Sequence, residues 1–212
     1  MDPRTGRPRA RSAGLALLTV GWLLASTGLS PQASARDLEC VKAYVANAGS
    51  SNVSVINTRT NTVSAVIPVG ALPVGVAAAW DERHVYVANQ GSNSVSVIDT
   101  RTNTVTHTIP VGNTPTGDVA SPDRRHLYVA DYGSQSVSVI DTRTNTVTDT
   151  VPVGHNPQGL AITPDHQYVY VANSGDATVS VIRTRTNQVV ATITVGTSPV
   201  GVGILKSQGS IG

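Results

Sequence analysis

From residue 43 onward the apolar residues fall into short alternating runs, without the three-and-four spacing of an amphipathic helix. Val53-Ser54-Val55-Ile56 sets valine against serine, and the same four letters return from Val95, Val137 and Val179. A period of two places alternate side chains on opposite faces of a β-strand. A second kind of run, rich in valine and tyrosine, closes on Asn or Asp: AYVAN at 43–47, HVYVAN at 84–89, LYVAD at 127–131 and YVYVAN at 168–173. Gly49, Gly91, Gly133 and Gly175 follow it and are expected to supply the positive φ of a turn.

Two further runs complete the pattern. One is threonine-rich, as in TVTHTIPVG at 104–112, and its late proline, lacking an N–H, suits only an outermost strand. The other follows Pro-x-Gly: PVGVAAA from Pro73, PTGDVAS from Pro115, PQGLAIT from Pro157 and PVGVGIL from Pro199. Glycine inside a strand of small residues marks close backbone approach. Asp81, Asp123 and Asp165 are expected to turn the Pro-x-Gly strand into the tyrosine strand. Asn57, Asp99 and Asp141 close the turn after the VSVI strand, before Asn61, Asn103, Asn145 and Asn187 re-enter a strand.

The runs are periodic. SVSVIDTRTNTVT at 94–106 recurs at 136–148, 42 residues later, with variants at 52–64 and 178–190. Self-similarity at this interval means units that bury their apolar faces on one another. Four strands in each such unit predict an all-β fold, a β-propeller of four-stranded antiparallel blades. Tyr44, Tyr86, Tyr128 and Tyr170 are expected to pack between blades. The order of strands adds that the first blade opens on its tyrosine strand, while a solitary Pro-x-Gly strand lies at Pro199–Leu205. That last strand is expected to complete the first blade. The four repeats then form a closed four-bladed disc or an open arc, the latter with edges free for self-association.

Composition changes the picture mainly at the start. Arg4, Arg7, Arg9 and Arg11 precede an apolar stretch from Ala13 to about Leu29, and Ala33-Ser34-Ala35 follows. This is the pattern of a secretory signal peptide over residues 1–35. A membrane anchor is the alternative, disfavoured because Gly14, Gly21, Thr27 and Ser30 dilute the run. The organisation read from the sequence is leader at 1–35, lead-in at 36–42, repeat domain at 43–205 and tail at 206–212. Without the leader the chain holds eleven basic and twelve acidic residues, a formal charge of −1. The basic character therefore belongs to the leader, and neither nucleic-acid binding nor a further membrane span is indicated. Cys40 is the only cysteine, so no disulfide forms within the chain. The bulky Glu39 before it argues against lipid attachment.

The words YVAN, VSVID, TNTV, VG and P-x-G, recurring together from Ala43 to Leu205, resemble the YVTN family of β-propeller repeat proteins, with alanine in place of threonine in every copy. The resemblance implies a propeller fold, export or display at the cell envelope, and binding or surface-layer roles. It brings no catalytic motif. Members generally have more blades than the repeats counted here, which leaves the closure of the ring open.

Candidate chemistry lies where the repeat disagrees with itself. Asp118 stands where the other copies have Val76, Leu160 and Val202, and Asp131 where they have Asn47, Asn89 and Asn173. Hairpin pairing would place Asp118 near Ala130 and Asp131, with Tyr132 adjoining and His155 and Asn156 in the next loop. Two carboxylates, a tyrosine and an imidazole at a channel mouth suit a polar ligand or a cation. The plainer reading is that Asp118 faces a watery channel and Asp131 caps a turn as asparagine does. The five histidines lack metal-ligand spacing, and neither a metal nor a cofactor is expected. Arg59, Arg101, Arg143 and Arg185 recur in the turn after the VSVI strand, a weak positive ring on the opposite face. The function expected is a non-enzymatic binding or scaffold module, secreted or at the cell envelope, for a protein, polysaccharide or small-molecule partner. The alternative is a hydrolase or lyase of the lactonase or streptogramin-lyase kind, with its site at Asp118, Asp131 and His155.

Overall fold

The computed structural model describes residues 41–206. The leader, Cys40 and nearly all of the tail lie outside the described residues. Four antiparallel sheets follow in chain order. The first holds β1 (Lys42–Asn47), β2 (Asn52–Asn57) and β3 (Thr62–Pro68). The second holds β4 (Pro73–Ala78), β5 (His84–Asn89), β6 (Ser94–Asp99) and β7 (Thr104–Pro110). The third repeats this with β8 (Pro115–Ala120), β9 (His126–Asp131), β10 (Ser136–Asp141) and β11 (Thr146–Pro152). The fourth does so with β12 (Pro157–Ile162), β13 (Tyr168–Asn173), β14 (Thr178–Arg183) and β15 (Gln188–Thr194). A 3-10 turn spans Ala48–Ser50. Each sheet is a meander, and its outermost strand ends on Pro68, Pro110 or Pro152 in the first three sheets, as the missing N–H requires, and on Thr194 in the fourth.

Sheets pack face to face through three apolar joints. Tyr44, Val53, Val55 and Ile67 of the first sheet meet Val85, Val87 and Ile98 of the second. Tyr86, Val95, Val97 and Ile109 meet Leu127, Val129 and Ile140 of the third. Tyr128, Val137, Val139 and Val151 meet Val169, Val171 and Ile182 of the fourth. The VSVI alternation is therefore buried on both faces in the middle sheets, where the serines are as inaccessible as the valines. Lys42 Nζ on the Thr100 carbonyl (2.8 Å) and Trp80 Nε1 on the Ala120 carbonyl (3.2 Å) tie neighbouring sheets at their rims.

At the inner rim β1, β4, β8 and β12 form a row. The Pro-x-Gly glycines set its spacing: a Cβ on Gly75 would collide with the Thr116 carbonyl, one on Gly117 with that of Gln158, and one on Gly159 with that of Val200. The last contact includes a hydrogen bond from the Gly159 amide to the Val200 carbonyl, 2.8 Å. This corrects the expectation that the last strand completes the first blade. The segment from Pro199 takes the next place in the row beyond β12, because the same close step that sets every joint carries it onward. It does not pair with β1, whose ladder among the described residues is with β2 alone. The sheets form an open arc.

The turns carry a second correction. None of the described glycines has positive φ. After each tyrosine strand the left-handed residue is Ser51, Asn93, Gln135 or Ala177, with φ between 50° and 55°. In the last three of these turns the glycine two places earlier serves close approach instead: a Cβ on Gly133 would lie 3.0 Å from Thr114 Oγ1, and one on Gly175 2.8 Å from the His155 Cβ. Asn61, Asn103, Asn145 and Asn187 are likewise left-handed turn residues, φ 52–54°, where a short polar side chain is favoured. The Asx turns form as expected, with Asp99 Oδ1 accepting from the amides of Arg101 and Thr102. Asp81, Asp123 and Asp165 likewise accept from the amides two residues on.

Candidate functional site

One face of the arc is built from interlocked turns. The Tyr132 amide donates to the Thr114 carbonyl (3.1 Å) and the Gly133 amide to that of Asn113 (3.0 Å), while Asn113 N–H returns a bond to Ser134 Oγ (2.7 Å). The same three bonds recur from Gln90, Gly91 and Ala71, the last to Ser92 Oγ. They recur again from Ser174, Gly175 and His155, the last to Asp176 Oδ2 at 2.7 Å. The backbone lattice is constant, and the side chains mounted on it are not.

The five residues singled out by sequence are divided among different surroundings, so the expected convergence at a channel mouth is not formed. Asp118 pairs with Val129 across β8 and β9, not with Ala130 or Asp131. Its side chain enters the joint with the second sheet, with Oδ1 close against Gly75. Both carboxyl oxygens are sealed from solvent, and no side chain is hydrogen-bonded to them. Burial pushes the acid up to about 8, against a smaller pull from the backbone amides of Ala77 and Asp118 itself. The watery-channel reading of Asp118 fails on the same facts.

Asp131 is fully buried beside Gly112. Asn89 and Asn173 donate their amide to Ser96 and Ser180 (both 2.9 Å). At Asp131 the polarity is reversed, and Ser138 Oγ donates to Oδ2 at 2.6 Å. Burial raises Asp131 to about 6, with the bonds from Ser138 and the Gly112 amide opposing.

Tyr132, His155 and Asn156 lie on the turn lattice. His155 Nδ1 bonds Asp176 Oδ1 at 2.8 Å, and its ring is 62% exposed. The backbone N–H of His155, followed by its ring, holds the Asp176 carboxyl below the usual carboxylate range. Asn156, at φ 54°, presents its carbonyl to the Ser174 amide and hydroxyl. Asp176 was not singled out by sequence, although it breaks the repeat at the place of Ser92 and Ser134. That mismatch was its available signal. A groove lined by Pro68, Ser92, Asn93 and Thr108 runs between the rims of the first two sheets and includes none of these residues. No group of three or more His, Cys, Asp or Glu suited to a metal occurs among the described residues.

A family model described as YNCE-like beta-propeller matches residues 70–209, about two thirds of the chain. The chain belongs to the YNCE-like β-propeller family. This agrees with the YVTN-type resemblance of its repeats. Among solved structures it is similar to the hydrazine synthase of Kuenenia stuttgartiensis, with TM-score 0.70 and 27% identity over 73% of this chain and 46% of that one. It also shares its fold with a functionally unknown protein from Desulfotomaculum acetoxidans DSM 771, at TM-score 0.65 and 15% identity over 74% and 54%. The chain thus spans about half the length of each. No curated protein matches it.

Proposed function

We propose that this YNCE-like propeller is an exported, non-enzymatic binding module whose ligand face is the lattice of turns after the tyrosine strands. One observation carries the reading: an unchanging set of backbone hydrogen bonds holds a changing set of side chains. Ala71, Asn113 and His155 occupy equivalent places, as do Ser92, Ser134 and Asp176, and Gln90, Tyr132 and Ser174. Variable side chains on a rigid scaffold are how loops select partners. The exposed imidazole of His155, oriented by Asp176, supplies a hydrogen-bonding group beside the Asn156 turn and faces polar chemistry such as a glycan or a peptide. Asp118 and Asp131 are interior and serve this face only by position. The leader pattern at 1–35 supports export.

The test is co-sedimentation of the purified protein with insoluble cell-wall polysaccharide, comparing wild type with a Tyr132→Ala, His155→Ala double variant. The expected result is a bound fraction at least about tenfold lower for the variant, corresponding to the loss of about 1.4 kcal/mol, with an unchanged melting temperature. Equal binding by both proteins, or turnover in a lactone hydrolysis screen, would overturn the reading.

A further inference from the structure

Every joint inside the arc is made in the same way, and the two end sheets each retain one half of it. At one end Ile193 is 44% exposed, whereas its equivalents Ile67, Ile109 and Val151 are 2–3% exposed beneath the next sheet. At the other end Val45 is 42% exposed, whereas Val87, Val129 and Val171 are at 0%. One end thus carries the apolar face that the other end receives at each internal joint.

The glycines repeat the message. A Cβ on Gly91, Gly133 or Gly175 would crowd the loop of the preceding sheet, yet Gly49 has nothing within 4 Å. Gly70, Gly112 and Gly154 are tight against Asn89, Asp131 and Asn173, yet Gly196 has nothing within 4 Å. Gly201, the equivalent of Gly75, Gly117 and Gly159, is equally open. Backbone pairing is complementary too: β1 has one ladder partner among the described residues, and the segment from Pro199 to Lys206 forms no ladder.

We infer that two copies of this chain join head to tail, the Pro199–Ile204 segment of each becoming the inner strand of the first sheet of the other. Continuing the β4–β5 register, in which Pro73 faces Asn89 and Val76 faces Val87, sets Pro199 opposite Asn47 and Val202 opposite Val45 of the second copy. Ile193 of one copy is then covered by the Val45 face of the other, as Ile67 is covered within the chain. A head-to-tail contact closes when its rotation completes a circle. Two copies give eight sheets, four from each, within the range that propeller rings adopt. The joint is independent of the ligand face proposed above.

Light scattering on the purified protein tests this, with an expected mass twice that of the chain. Val45→Arg, at a site exposed in the single arc, should halve that mass while keeping the β circular-dichroism spectrum. A second variant carries Val45→Cys and Val202→Cys with Cys40→Ser. On oxidation it should run as a covalent dimer on a non-reducing gel. A wild-type monomer overturns the inference, and so does a disulfide within one chain, which would mark four sheets closed on themselves. A monomer that unfolds with Val45→Arg also overturns it, placing the cover of β1 in the chain's own residues 1–40.

Discussion

At Asp118 the repeat gives up an apolar contact for a buried carboxyl group that no side chain bonds, and this has a definite pH signature. The unfolded group titrates near 3.9, and the folded one at about 8. Below pH 4 both states hold the proton and titration costs nothing. Between pH 4 and 8 the unfolded chain releases its proton while the folded chain retains it. Stability therefore falls with rising pH by about 1.4 kcal/mol per pH unit, and the loss is constant above pH 8. Asp118→Val, which restores the residue found at Val76 and Val202, removes the group. Urea unfolding should show the variant gaining on the wild type by on the order of 3–4 kcal/mol more at pH 7.5 than at pH 4.5. A gain that is the same at both values would show that Asp118 is solvated. The sequence marked Asp118 and Asp131 as departures from the repeat, and it was right that they are unusual. It did not reveal their direction, because strand alternation says which side of a sheet a residue takes but not whether water or another sheet lies there.

Individual turns show how one sequence signal hides two physical causes. Glycine after Asn or Asp is the ordinary mark of positive φ, and the same glycine is also what a crowded backbone needs. Here the second cause holds, and the left-handed residue lies two places later, at Asn93, Gln135 or Ala177. Only a neighbouring sheet distinguishes the causes, so the distinction was not legible along one chain. The strands themselves were legible, since valine alternation, late proline and Pro-x-Gly each follow from local chemistry. Two substitutions separate the roles. Gly133→Ala forces a Cβ against Thr114 and Asn113 and should cost about 1–3 kcal/mol, as overpacking does. Ala177→Asn places a residue tolerant of left-handed backbone at φ 55°, and should add about 1 kcal/mol, a rise of about 2–4 °C in melting temperature. If Gly133→Ala is neutral in thermal melts, close approach is not what holds that glycine.

Across the whole molecule stability is approximately a sum of sheets and joints, as in other repeat proteins. The four sheets and their order could be read from a 42-residue period, but their closure could not, because a Pro-x-Gly strand has the same letters whichever sheet it enters. The outcome depends on contacts between repeats, where Gly75, Gly117 and Gly159 let each inner segment lie close against the next. In the single arc the second and third sheets are covered on both sides, and β5, β6, β9 and β10 are buried almost throughout. By contrast β15 is exposed along its whole length. In the separate arc amide hydrogen exchange should follow this gradient, slowest in those four strands and fastest in β15 and residues 199–206. Joining two copies adds cover only at the ends. Protection of β1 and residues 199–206 should therefore fall on dilution, while that of the middle strands stays fixed, since association stabilises by mass action. With Val45→Arg the end strands should exchange fast at every concentration. End-strand protection that ignores dilution in the wild type would mean that the two faces are covered within one chain.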